Sequence, residues 1–211
     1  MPDMVLDSID LGLPEQVETR LQRLRRPERI QSFINRIPWN TQESGHTARS
    51  VVGILEHNTA NCIEGAFVAA AALALAGHPP LLMDMGAARG DVDHVVALFR
   101  RRGHWGAISK SNSPLLRYRD PIYRSLRELS LSFFPQYVKG RRKTLRTYSV
   151  SVDLRKFDPT LWVTHPYPIS QEMVDVLTVA RHFPIVPPEA EHDLRLIDEI
   201  ERQSSRISEH A

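Results

Sequence analysis

The chain has 211 residues, 42% of them apolar and 25% charged, with a formal net charge of +2; these proportions exclude a disordered or fibrous chain and allow a sizeable core in one domain, residues 1–211. A near-neutral total is too small to argue by itself for a nucleic-acid partner, and none is expected, because phosphate binding draws on a clustered basic surface more than on the total. A single cysteine makes no intramolecular disulfide, so nothing asks for an oxidising compartment, and a cytoplasmic protein is expected.

The N-terminus, MPDMVLDSIDLGLPEQ, has early acids and no basic leader before an apolar stretch, so no cleaved secretory signal is expected. PEQVETRLQRLRR and PERIQSFINRI have proline at a first turn and apolar residues at helical spacing, which predicts two amphipathic helices. PWNTQESGHT is rich in turn formers, and a short helix is expected over 47–55, ending before Asn58. NCIEGAFVAAAALALAG then predicts a helix from Cys62 to about Ala76, stopped by Gly77 and the Pro79–Pro80 pair. Its apolar run, Ala66 to Ala76, is about half the length that crosses a bilayer, so it is expected to be a buried core helix and no membrane partner is expected.

PLLMDMGA predicts a strand. HVVALF and HWGAIS, separated by RRRG, predict a hairpin. DPIYRSLRELSLSFF has helical periodicity, LRTYSVSVDL alternates like a strand with one buried face, and SQEMVDVLTVARH and PEAEHDLRLIDEIERQSSRI predict two further helices. The expected fold class is α+β: a buried alanine-rich helix packed on a small antiparallel sheet with flanking helices.

Asn61 is a favoured N-cap, and Glu64 three positions on completes a capping box, which makes Cys62 the first residue inside the helix. Unpaired N–H groups and the positive dipole end favour a thiolate there. Glu64 lies about 200° round the helix from Cys62 and should point back toward Asn61. Most free cysteines are small buried hydrophobes, so a partner is needed. His94 opens the strand HVVALF, shares a face with Val96 and Leu98, and carries an imidazole suited to act as a general base.

The order of a helix-start cysteine, a strand beginning with His94 and a second strand led by Trp105 resembles the transglutaminase-like branch of the papain-like cysteine enzymes. NCIEGAFVAAAALALAGHPPLLMDM, DHVVALFRRRGHWGAISKSN and LRYRDPIYRSLRELSLSFF are similar to a group of bacterial transglutaminase-like proteins, over about residues 30 to 160. The resemblance implies a nucleophile at Cys62, a base at His94, and a polar residue on the next strand that fixes the imidazole. It also implies a hydrolase or acyltransferase that attacks an amide or ester carbonyl through a thioester, with a peptide or protein substrate; no cofactor or metal is expected.

The third member departs from that pattern, because WGAISKSN contains no carboxylate. A four-residue loop sets His94 opposite Ser109, whereas a two-residue loop of Arg102 and Gly103 sets it opposite Ser111. Asn112 can accept from a ring N–H. Asp91 or Asp93 could fold back, although alternation argues against Asp93. Helix-start N–H groups are aimed to receive an oxyanion, and Gln42, Asn58 and Trp39 are side-chain candidates.

Asp84, Asp91, Asp93 and His94 match no structural zinc spacing, and GAARGD lacks the lysine of a phosphate loop. Arg117, Tyr118, Arg119, Tyr123, Arg124 and Arg127, with KGRRK at 139–143, interleave rings and cations. They define the alternative function, a catalytically impaired domain whose basic face binds an acidic partner. The oligomeric state is not legible.

Overall fold

A computed structural model describes residues 9–41 and 47–209. Helices α1 (Glu15–Gln22), α2 (Pro27–Asn35) and α3 (Val51–His57) precede the alanine-rich helix α4 (Cys62–Leu75). In α4 every residue from Ile63 to Ala74 is buried. Small alanine side chains let neighbours approach closely on all sides, with α1, α2 and α3 on one flank and the sheet on the other. Lys110 presses on α4 where it has no side chain, and a Cβ on Gly65 would overlap the Cβ of Lys110.

The sheet is built from β1 (Leu81–Met85), β2 (His94–Arg101), β3 (His104–Ile108) and β4 (Arg119–Tyr123), joined later in the chain by β8 (Val152–Asp153). The order is β4-β3-β2-β1-β8, all antiparallel. Alternation divides it into two cores. Val95, Ala97 and Phe99 face α4, whereas Val96 and Leu98 pack with Met83, Leu129, Phe133 and Tyr137 on the other side. The expected α+β architecture is thus observed, with α4 packed on a small antiparallel sheet.

Three expected elements are corrected. DPIYRSLRELSLSFF is not one helix: β4 takes Arg119–Tyr123 and helix α5 begins only at Leu126, where Ser125 caps Glu128 N–H. Pro121 is tolerated there because β4 is an edge strand. LRTYSVSVDL is split between two sheets. β7 (Thr147–Ser149) pairs with β9 (His182–Pro184), and β8 joins β1. The Ser149 hydroxyl, turned onto the Val150 carbonyl and accepting from Asp84 N–H, marks the break.

The third correction is the C-terminal segment. It is a 3₁₀ turn over Pro188–Asp193, an extended stretch, and α8 (Glu199–Ser205), which the Asp198–Glu201 capping box starts afresh. The remaining elements are the ribbon β5 (Val138–Lys139) and β6 (Arg142–Lys143), helix α6 (Thr160–Val163) and helix α7 (Glu172–Val179). Among the described residues no helix is long and apolar enough to cross a membrane.

Candidate active site

Cys62 is placed by the capping box. The Asn61 side chain accepts from Glu64 N–H at 3.1 Å, and the Glu64 carboxylate accepts from Asn61 N–H at 3.0 Å. This is the geometry expected from N-C-I-E, with Glu64 turned away from the sulfur. The thiol faces the α4 start and the Val95 N–H of β2, and lines a cavity of 540 Å³. Trp39, Ile63, Val95, Tyr137, Val174 and Leu177 form its apolar walls, while Asp84, Asp91, Asp93 and His94 supply its titratable groups.

Burial pushes the Cys62 thiol up, and Asp84 adds to this. The N–H groups of Val95, Ile63 and Cys62 itself pull it down but do not outweigh burial. The helix start favours the thiolate in the expected direction, therefore, but does not win. Alkylation of Cys62 by iodoacetamide should accordingly rise with pH through an inflection above about 8.5, the free-thiol value. The rate of mass gain from pH 6 to 10 measures it, and an inflection near 7 would mean that the N–H groups outweigh burial after all.

His94 is buried at the start of β2. The hairpin turn is two residues, Arg102 and Gly103, both at positive φ (51° and 80°), and pairs Arg101 with His104 and Ala97 with Ile108. Carried on, that register sets His94 opposite Ser111. The imidazole instead reaches diagonally: its Nε2 lies 2.6 Å from the Ser109 hydroxyl, which is fully buried and donates to the Leu116 carbonyl at 2.8 Å. A carbonyl only accepts, so the single Ser109 proton is committed to Leu116, and Ser109 must accept from Nε2–H. The hydrogen-bond network therefore assigns the tautomer and leaves Nδ1 as the basic nitrogen.

Burial drives His94 down to about 4, against the Leu116 carbonyl and with the help of Arg119. At neutral pH the ring is uncharged. Its edge meets the Tyr137 ring, 6.4 Å between centroids, and the Tyr137 hydroxyl donates to the Val92 carbonyl. The thiol and the imidazole reach the cavity from opposite faces of β2, the first with Val95 and the second with Val96. Among the described residues no hydrogen bond joins them.

The other residues singled out in the sequence lie as follows. Ser111 accepts from Ser113 N–H, and the Asn112 carbonyl accepts from Glu209 N–H; neither lines the cavity. Asp91 lines it while accepting from Thr144 at 2.5 Å, and Asp93 accepts from Ala87 N–H at 2.7 Å. Trp39 forms a wall, Asn58 is the left-handed C-cap of α3, and Gln42 lies outside the described residues. The arginine-rich face is largely engaged within the fold. Arg117 pairs with Glu209, Arg127 donates to Ile185, and Arg119 makes six hydrogen bonds with its guanidinium 3.9 Å from the Phe133 ring centre. Among the described residues no group of three or more His, Cys, Asp or Glu is arranged to hold a metal.

One pair escaped the sequence reading. Asp84 is buried on the cavity wall, and its carboxylate lies 3.0 Å from Nε2 of His182 in β9. Ninety-eight positions separate the two, and no local spacing signals such a contact.

Fold and site together define a mixed α+β protein with a helix-start thiol and a strand-borne imidazole on one cavity. No family model and no curated protein matches the chain. Among solved structures it is similar to LapG of Legionella pneumophila, at 16% identity over 77% of this chain and 82% of that one, with a TM-score of 0.41. EGTA-treated LapG from the same organism is 15% identical over 70% and 81% of the two chains, with a TM-score of 0.39.

Proposed function

We propose that the protein is a cysteine-dependent acyl enzyme of the transglutaminase-like kind, hydrolysing amide or isopeptide bonds in a peptide or protein. Cys62 is the nucleophile, His94 the base, and Ser109 the group that fixes the imidazole. The observation that carries this reading is the relay from His94 Nε2–H to Ser109 to the Leu116 carbonyl. It holds a neutral ring with Nδ1 basic on the cavity that the thiol also lines.

In the first step Nδ1 takes the thiol proton as sulfur attacks the carbonyl carbon. The carbonyl oxygen becomes an oxyanion facing the unpaired N–H groups at the α4 start. Collapse breaks the C–N bond, the departing amine takes the proton from Nδ1, and a thioester is left on Cys62. Water, deprotonated by Nδ1, then discharges the acid and restores the thiol. Ser109 orients the ring but brings no charge to the imidazolium, so turnover is slower than with a carboxylate in its place.

Incubation with p-nitrophenyl acetate tests the proposal, with intact-mass and peptide mapping as readout. An acetyl group that accumulates on Cys62 and turns over is expected, and Cys62→Ala should not carry it. Acetylation no faster at Cys62 than at a free thiol would remove the proposal.

A further inference from the structure

Asp84 and Cys62 belong to the same face of the sheet. Asp84 alternates with Leu82, which packs on the α4 side, and its Cα partner across the β1–β2 ladder is Val95, whose N–H faces the thiol. Both side chains line the cavity. A bare carboxylate in that position would oppose a thiolate. His182, behind Asp84, does not line the cavity.

The imidazole of His182 is held at both nitrogens. Nδ1 lies 2.7 Å from the Ala180 carbonyl, which only accepts, so Nδ1 carries a proton. Nε2 lies 3.0 Å from Asp84 Oδ2, and two lone pairs do not face each other at that distance. One proton therefore sits between Nε2 and Oδ2, and whichever atom holds it, the pair has no net charge. We propose that His182 is a positioning residue for the chemistry of Cys62: by sharing one proton with Asp84 it offsets most of the negative charge that the carboxyl group beside the thiol would otherwise present.

Other groups around Asp84 do not supply that proton. Asp93, on the β1–β2 connection, adds negative charge, while Ser149 accepts from the Asp84 backbone and Met85 N–H donates to its carboxylate. Tyr137 has its hydroxyl on Val92, and α7 brings Val174, Leu177 and Thr178 to the cavity, none titratable. His94 is on the opposite face, bound to Ser109. Burial raises the Asp84 carboxyl to about 6 even with His182 and the Met85 N–H pulling it down, in keeping with a carboxyl that competes for the shared proton.

The catalytic meaning of this inference rests on Cys62 being the nucleophile, but its test does not. Cys62 is the chain's one cysteine, so the pH profile of iodoacetamide alkylation reports this thiol alone, whether or not the protein turns over a substrate. In His182→Gln the amide still donates to Oδ2 but brings no mobile proton, so in the alkaline range where the thiol ionises the Asp84 carboxylate is charged with no cation behind it. The inflection should move up by about one unit, so that alkylation just below the wild-type inflection falls about tenfold. Asp84→Asn/His182→Gln should return to within about twofold of the wild type. An unmoved profile in His182→Gln, or a double variant that keeps the defect, overturns the proposal. Asp84→Asn alone decides the matter if His182→Gln fails to fold. A profile within about twofold of the wild type supports a pair that is already neutral, and an inflection lowered by about a unit or more would reveal a charged carboxylate and overturn it.

Discussion

Replacing His94 with alanine is expected to lower the rate at which Cys62 is acetylated at pH 7 by about 10²-fold, the low end of the worth of a positioned general base, because a ring held at about 4 is a weak base at pH 7. The size follows from the resting state of the site. Burial holds the thiol above its ordinary range and the imidazole at about 4, so thiol and ring rest neutral and no preformed thiolate–imidazolium pair can substitute for base catalysis. The defect should shrink as pH rises, because hydroxide removes the thiol proton without the ring. Loss below tenfold, equal at pH 7 and pH 10, would mean that His94 is structural. Ser109→Asp is the converse change: a carboxylate in place of the hydroxyl that lies 2.6 Å from Nε2 would stabilise the imidazolium, although it would also face the Leu116 carbonyl that now accepts the serine proton.

How far this site was legible depends on the range of each interaction. Asn61, Cys62 and Glu64 lie within one helical turn, and a capping box is a local bargain between side chains and their own backbone. Its geometry could be written down from four letters. The same holds for α4, whose unbroken apolar surface required burial on every side. The alternation of HVVALF correctly grouped His94 with Val96 and Leu98, but alternation assigns residues to one of two faces without saying which face meets which helix. The structure gives the α4 side to Val95, Ala97 and Phe99. Cys62 and His94 therefore line one cavity from opposite faces of β2, at the end where His94 begins the strand.

The partner of His94 shows a second limit. Register arithmetic on the hairpin names the residue directly across, which for the observed two-residue turn is Ser111. The hydrogen bond goes to Ser109, two positions along on the same face. Sheet neighbours on a diagonal are within reach of a ring as long as imidazole, so register narrows the choice without making it. The Asp84–His182 pair lies beyond both kinds of reasoning. LRTYSVSVDL alternates evenly, and nothing in it announces that the chain leaves one sheet at Ser149 and starts another, yet that break is what allows β9 to bring His182 beside β1.

Glu64→Gln is expected to cost about 3–5 kcal/mol of folding stability, measured by urea denaturation. Glu64 is fully buried and paired with Arg49 at 2.8 Å, the arginine side chain itself only 12% exposed. Oε1 accepts from the Thr47 hydroxyl, Arg49 N–H and Arg49 Nε, and Oε2 from Asn40 Nδ2, Arg49 Nη2 and Asn61 N–H. A glutamine amide turned either way sets its NH₂ against three donors and leaves a guanidinium without its counter-charge. Burial alone would raise the Glu64 carboxyl, but Arg49, Asn40 and the two backbone N–H groups outweigh it and hold it below the ordinary carboxylate range. A carboxyl depressed on folding contributes stability that is whole above its unfolded value, about 4.3, and is lost as pH falls through the folded value. The wild type should therefore lose stability below about pH 4 more steeply than Glu64→Gln, and parallel acid profiles would refute the assignment. The same network joins Asn40, next to the cavity wall at Trp39, to the residue that caps the Cys62 helix. The variant should consequently slow Cys62 acetylation even under conditions where it is fully folded, because the wall and the nucleophile are positioned by one carboxylate.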